Sequence, residues 1–193
     1  MDSKRKSEMK KMSMLLVLAC LLLTGCSTTE LEERSFPMLV AIELEDGKVV
    51  YKDAFPKEDE MGKHGAKKKD YNHLKVLVLE AEVLERQEIY NRILKEIGSE
   101  EKFPRNTYVC AMEDVEDLFE MEKVLSQDLG TYMEEYLKLQ EEKNGRLLTL
   151  GDLLDEQVNH IFLLQLPYFE VENNVIIWKG YLNTSAKKWK ESD

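Results

Sequence analysis

Cysteine is scarce, with three residues in a chain of 193. Cys20 lies in an apolar run, Cys26 directly follows that run, and only Cys110 stands in the rest of the chain. A disulfide framework is therefore excluded, and the core must hold without covalent staples. Histidine is equally sparse: His64, His73 and His160 stand far apart, none two or four residues from another His or Cys. Zinc sites are usually announced by such paired spacings, so no metal is expected. Basic charge is in deficit, 27 Lys and Arg against 38 Asp and Glu, a net of −11. Without the five basic and two acidic residues of the first 25, 22 basic and 36 acidic remain, a net of −14. Nucleic acid is excluded as a partner, because phosphate binding needs clustered Lys and Arg. Broad adhesion to anionic lipid is disfavoured for the same reason. There is no Gly-rich phosphate loop, no G-x-S-x-G and no EF-hand loop. These absences point away from an enzyme and from any cofactor.

One long apolar run exists, Met14 to Leu23, and at ten residues it falls short of the roughly 20 that span a bilayer. Lys4, Arg5, Lys6, Lys10 and Lys11 precede it, and Leu23-Thr24-Gly25-Cys26 follows. A cationic segment, an apolar segment and small residues before a cut make a secretory signal. The Leu three before a Cys and the Gly just before it resemble a lipobox. Residues 1–25 are thus expected to be a signal peptide. Cys26 is expected to carry diacylglycerol through a thioether, as the first residue of the mature chain. Each buried methylene contributes about 0.8 kcal/mol and stable anchoring takes two chains, which this lipid supplies.

Beyond Cys26 the residues fit one domain. Residues 26–35 read as a lipidated Cys and polar tether, 36–182 as a single domain and 183–193 as a polar tail. Phe36–Glu45 and Lys48–Tyr51 read as strands around the Asp46-Gly47 hairpin signal, and 52–70 as a long exposed loop. Leu74–Leu79 is nearly all apolar, as for a strand buried on both faces. Ala81–Ile97 has one helical stripe of Leu84, Tyr90, Ile93, Leu94 and Ile97, stopped by Gly98. Thr107–Met112 reads as a strand, and Val115–Leu125 and Tyr132–Glu142 as helices. Thr149 is a helix N-cap for Leu150–His160. Phe162–Leu166 is an apolar segment stopping at Pro167, and Tyr168–Val171 with Val175–Leu182 is a hairpin around Asn173-Asn174. The order predicts an α/β (α+β) fold, a mixed β-sheet flanked by helices.

Candidate chemistry is thin. Cys110 sits in an apolar strand (Tyr-Val-Cys-Ala-Met), where a thiol behaves as a small hydrophobe. Glu32/Glu33, Glu134/Glu135 and Glu141/Glu142 are adjacent carboxylates, read as solvated pairs on tether or helix surfaces rather than as an acid and a base with separated pKa values. His73 precedes a strand, and His160 ends a helix. Lys67-Lys68-Lys69 is a local basic exception able to touch headgroups, but reads as a solvated loop. Asn183-Thr184-Ser185 has the glycosylation pattern without the setting for it. Trp178 and Tyr181 either cap the core, the favoured reading, or form an interaction surface.

Several segments in order resemble the Ger(x)C family of spore germination lipoproteins, the C subunits of germinant receptors. They are Glu30–Phe36 after the lipobox, His73–Leu79, Pro104–Thr107, Thr149–Leu154, Leu166-Pro167-Tyr168, and Val175–Tyr181 with its Lys179-Gly180-Tyr181. Ser27-Thr28 replaces the family's usual Trp-Asp, and Ala41-Ile42-Glu43 its Gly-Ile-Asp. The resemblance covers mainly the family's N-terminal domain. It implies a non-catalytic accessory or scaffold subunit in a receptor that senses nutrients. It also implies a place on the outer face of the cytoplasmic (inner spore) membrane, beside integral-membrane A and B subunits. It carries over no ligand-binding residues. The alternative is a surface solute- or peptide-binding lipoprotein working with a transporter; a lipid-anchored hydrolase is the remotest reading.

Overall fold

The computed structural model describes residues 34–57, 68–99, 103–159 and 165–183. The chain divides into two compact units, Met1–Arg34 and Ser35–Asp193, and the fold below belongs to the second.

A run of alternating large and smaller apolar residues sets the centre of the sheet. In β5 (Val76–Glu80), Val76 and Val78 face one side and Leu77 and Leu79 the other, all fully buried. Such a strand needs a layer over each face. Its neighbours β2 (Leu39–Glu45) and β6 (Tyr108–Met112) run parallel to it and alternate in the same way. β7 (Gln165–Glu172) adds a fourth parallel strand beside β6. Antiparallel hairpins close both margins, β3 (Lys48–Ala54) on β2 and β8 (Val175–Asn183) on β7. The six-stranded order is β3-β2-β5-β6-β7-β8. A short pair, β1 (Arg34–Ser35) with β4 (Lys68–Lys69), stands apart from it. The mixed sheet with flanking helices is the fold class read from the sequence.

The helices divide between the faces. α1 (Ala81–Glu85), α2 (Gln87–Ser99) and α5 (Leu150–Asn159) pack on the Leu77 face. α3 (Val115–Glu122) and α4 (Leu129–Asn144) pack on the Val76 face. Asp114 and Asp128 cap α3 and α4, accepting from the Glu116 and Thr131 amides at 2.8 Å. At α5 the cap is reciprocal: Asp152 accepts from the Thr149 amide at 2.9 Å and from its hydroxyl at 2.7 Å.

Four expectations need correction. The helix expected over Ala81–Ile97 breaks at Arg86, which leaves helical geometry (φ −99°, ψ 79°). In an unbroken helix Leu84 and Tyr90 would stand about 120° apart around the axis; the break resets the phase so that both are buried. The strand expected from Phe36 starts at Leu39. The loop expected over 52–70 is strand at Lys52–Ala54 and at Lys68–Lys69. Pro167 does not stop its segment: β7 runs through it. The missing amide is tolerated because the ladder to β6 begins one residue later, at Ala111 and Tyr168.

Both hairpin turns are as the sequence suggests. Asp46 and Gly47 (φ 51° and 75°) and Asn173 and Asn174 (φ 51° and 61°) have the paired positive φ of a type I′ turn. β8 holds a further device. Tyr168 pairs with Gly180 but Phe169 with Trp178, so Lys179 is a bulge. Gly180 supplies the positive φ there, 114°. The bulge reverses the alternation. Ile176 and Trp178 join the α3–α4 core while Leu182 joins the α1–α2–α5 core.

Candidate interaction faces

The parallel strands give the domain two chemically distinct ends. At the carboxyl end, Lys52 of β3 reaches between Glu43 of β2 at 2.8 Å, Glu45 at 3.8 Å and Glu116 of α3 at 2.5 Å. Burial pushes the Glu43 carboxyl above the usual range, against the pull of Lys52. Glu80, the last residue of β5, accepts the Leu44 amide at 2.9 Å. Burial raises its pKa too, the Leu44 bond opposing. Two strands away, on β7, the Tyr168 hydroxyl lies 3.0 Å from Glu113 and 3.2 Å from Glu170. Burial and the Glu113 carboxylate push that phenol far up. Lys179 links Glu170 and Glu172 at 3.0 and 2.8 Å.

At the amino end, α4 lies across the strand starts. Its Gly130 meets Met38, its Glu134 pairs with Lys75 at 2.6 Å, and its Glu141 accepts from the Tyr108 hydroxyl at 2.9 Å. Lys138 joins Glu134 at 2.7 Å, and Arg146 joins Asp152 at 2.7 Å. Burial would raise Glu134, but Lys138 and Lys75 together hold it below the usual carboxylate range. Burial and Glu141 push the Tyr108 phenol up to about 12. Lys75, Tyr108, Glu134, Lys138, Glu141 and Arg146 line an open cleft of about 310 Å³. A second cleft, about 470 Å³, lies between the β2–β3 hairpin and α2, lined by Lys48, Tyr51, Arg92 and Glu96.

Cys110 is fully buried, and burial pushes its thiol far above the ordinary value. Among the described residues no three of His, Cys, Asp and Glu come together as a metal site. His73 sets its ring edge-on to Phe36 at 5.0 Å. Glu134 and Glu141 correct the reading of solvated pairs: both are partly buried ties between α4 and the sheet, whereas Glu135 and Glu142 are exposed. Trp178 packs on Phe169, ring centroids 5.2 Å apart, and on Tyr181 at 5.0 Å. It belongs to the core margin, and Tyr181 is the exposed end of that row. Cys26, Glu32, Glu33, His64, Lys67, His160, Thr184 and Ser185 lie outside the described residues. Lys68 and Lys69 form β4, Lys69 pairing with Asp53. The sequence reading missed Lys52, Glu43 and Tyr168. Glu43 carried a signal, as a charged residue inside an apolar strand; Lys52, read as the start of the loop, and Tyr168 carried none.

The strand order also bears on ligands. In open α/β sheets, ligands settle at the carboxyl ends where the order reverses. Here, among the described strands, β2, β5, β6 and β7 advance in one direction, and their order shows no such reversal. No helix among the described residues is long and apolar enough to cross a membrane.

Residues 58–171 match the family model described as spore germination protein N-terminal domain. The chain belongs to this family. It is a Ger(x)C-type spore germination protein, and the match runs from the segment before β4 to the second half of β7. Comparison with curated proteins and with solved structures finds no match. Two of the segments that carried the resemblance acquire a physical reason in this Ger(x)C domain. Thr149-Leu150-Gly151-Asp152 builds the reciprocal cap of α5, with the Gly151 amide 2.7 Å from the Arg105 carbonyl. Lys179-Gly180 builds the bulge of β8.

Proposed function

We propose that this Ger(x)C chain is a lipoprotein subunit of a spore nutrient germinant receptor, with a non-catalytic accessory or scaffold role. The reading rests on one conjunction: a lipobox-like segment at Cys26 and, downstream of it, a spore germination domain match over residues 58–171. In this reading residues 1–25 are removed as a signal peptide and 26–35 link the lipid to the domain of 36–182, with 183–193 as a polar tail. The lipid holds the domain at the outer face of the cytoplasmic (inner spore) membrane, beside integral-membrane A and B subunits. Two features favour scaffolding over the delivery of a solute to a transporter. The order of the described strands shows no reversal, and the charges lining the amino-end cleft are engaged with one another. Tagged chain purified from spore membranes is expected to bring down the A and B subunits, and its deletion to slow nutrient germination. Purification without either subunit, together with normal germination of the deletion strain, overturns the proposal. For the anchor itself, Cys26→Ala is expected to abolish palmitate incorporation and to release the protein from the membrane fraction.

A further inference from the structure

The two ends of the sheet differ in charge. At the carboxyl end, Glu43, Glu45 and Glu116 surround Lys52, Glu82 pairs with Arg86, Lys179 lies between Glu170 and Glu172, and Glu80 stands close to Glu82 and Asp114, so carboxylates outnumber the cations among these residues. At the amino end, Lys68, Lys69, Lys75, Arg105, Lys138 and Arg146 are matched roughly one for one by Asp53, Asp70, Glu134, Glu141, Asp152 and Asp155. In the ion pairs there other than Arg105–Asp155 the cationic head is the more exposed partner: Lys69 is 48% exposed against 4% for Asp53, and Arg146 75% against 25% for Asp152. Seven residues of β2 separate the ends by roughly 23 Å. That exceeds two screening lengths at physiological salt, about 8 Å each, so each end meets a charged surface on its own terms.

The chain also enters this unit at the amino end. The Ser35 carbonyl accepts from the Asp70 amide at 2.9 Å, and the Met38 carbonyl accepts from the Lys75 amide at 2.9 Å, immediately before β2 and β5 begin. Nine residues, 26–34, reach at most about 30 Å. A link of that length brings the domain to a surface without fixing which side faces it, and the charges then decide.

We propose that the amino edge of the sheet rests against an anionic phospholipid surface, its exposed Lys68, Lys138 and Arg146 toward the headgroups, with the acidic carboxyl edge turned outward. The inference rests on the lipid-anchor reading of Cys26 and adds the orientation of the anchored domain. The acidic face, not the basic one, is then presented to whatever approaches from outside the membrane.

The test uses the full chain, processed and lipidated in a bacterial host and reconstituted in phosphatidylglycerol–phosphatidylcholine vesicles. A fluorophore is placed by Lys138→Cys at the amino edge or by Asp117→Cys at the carboxyl edge, with Cys110 buried and out of reach of the reagent. A quencher carried on the lipid headgroups is expected to quench the Lys138→Cys label several-fold more than the Asp117→Cys label. That difference should shrink in pure phosphatidylcholine and in high salt. Equal quenching, or stronger quenching at the carboxyl edge, overturns the orientation. Palmitate incorporation, measured on the same preparations, separates the two readings. A palmitoylated chain without the quenching difference defeats the orientation alone, and an unlabelled chain defeats the anchor and the orientation together.

Discussion

Gly130 illustrates how little slack the interior has. A Cβ built there would stand 2.5 Å from the Met38 Cβ and 2.8 Å from its carbonyl carbon, and backbone cannot step aside as a flexible side chain can. Gly130→Ala is expected to cost about 1–3 kcal/mol, read as a lower urea midpoint with an unchanged slope. Glu43 makes a pH prediction of definite sign. Its carboxyl binds a proton more readily folded than unfolded, so stability falls as pH rises from the ordinary value of 4.5 through the raised folded one. Glu43→Gln removes that charge and should flatten the fall in urea midpoint between pH 4.5 and neutrality. Asp152 has the opposite sign. Burial would raise it, but the Thr149 amide and hydroxyl and Arg146 outweigh burial and hold it below 3.8. Its contribution is therefore lost as the solution is acidified below that value. Asp152→Asn should remove part of the acid loss of stability, seen in midpoints measured below pH 4. At this scale Cys110 was legible from its apolar neighbours alone. Glu43 was not, because a charge in an apolar strand announces a buried partner without saying which one, and Lys52 belongs to the returning strand.

Among the elements, sequence pattern told most where one residue decides the geometry. Asp46-Gly47 and Asn173-Asn174 declare their turns because few other residues accept positive φ at both positions. The Val76–Leu79 strand declares itself because burial on two faces removes every polar residue. What the pattern hid was phase. Helical spacing looks continuous across Arg86, and only the demand that Leu84 and Tyr90 face one layer breaks it. Likewise Trp178, Gly180 and Leu182 look like one face of a strand until the Lys179 bulge sends Leu182 to the opposite core. Gly180→Val, which puts a branched side chain at φ 114°, is expected to cost on the order of 1–3 kcal/mol. It should also alter the near-ultraviolet dichroism of Trp178, whose ring neighbours Phe169 and Tyr181 depend on that bulge. Loss of the α5 cap by Thr149→Ala is expected to cost about 1 kcal/mol in the same unfolding measurement.

For the whole molecule, the arrangement of charge and the family tie matter more than any pocket. Composition disclosed an acidic domain but not that its acidity is concentrated at one end, since that depends on which turns the topology gathers. The family was legible in the order of short motifs, each weak alone.

The one-directional strand order has a consequence in time. β5 pairs with β6 once α1 and α2 have folded between them, but Ala111 must wait for Tyr168, with α3, α4 and α5 between the two. The last two strands therefore complete a sheet whose other four can already be paired. Until that long closure β6 has an open margin. The assembly of the sheet belongs with non-local topologies that close in milliseconds to seconds rather than microseconds. That interval is when the domain is most open to wrong pairing and to proteolysis.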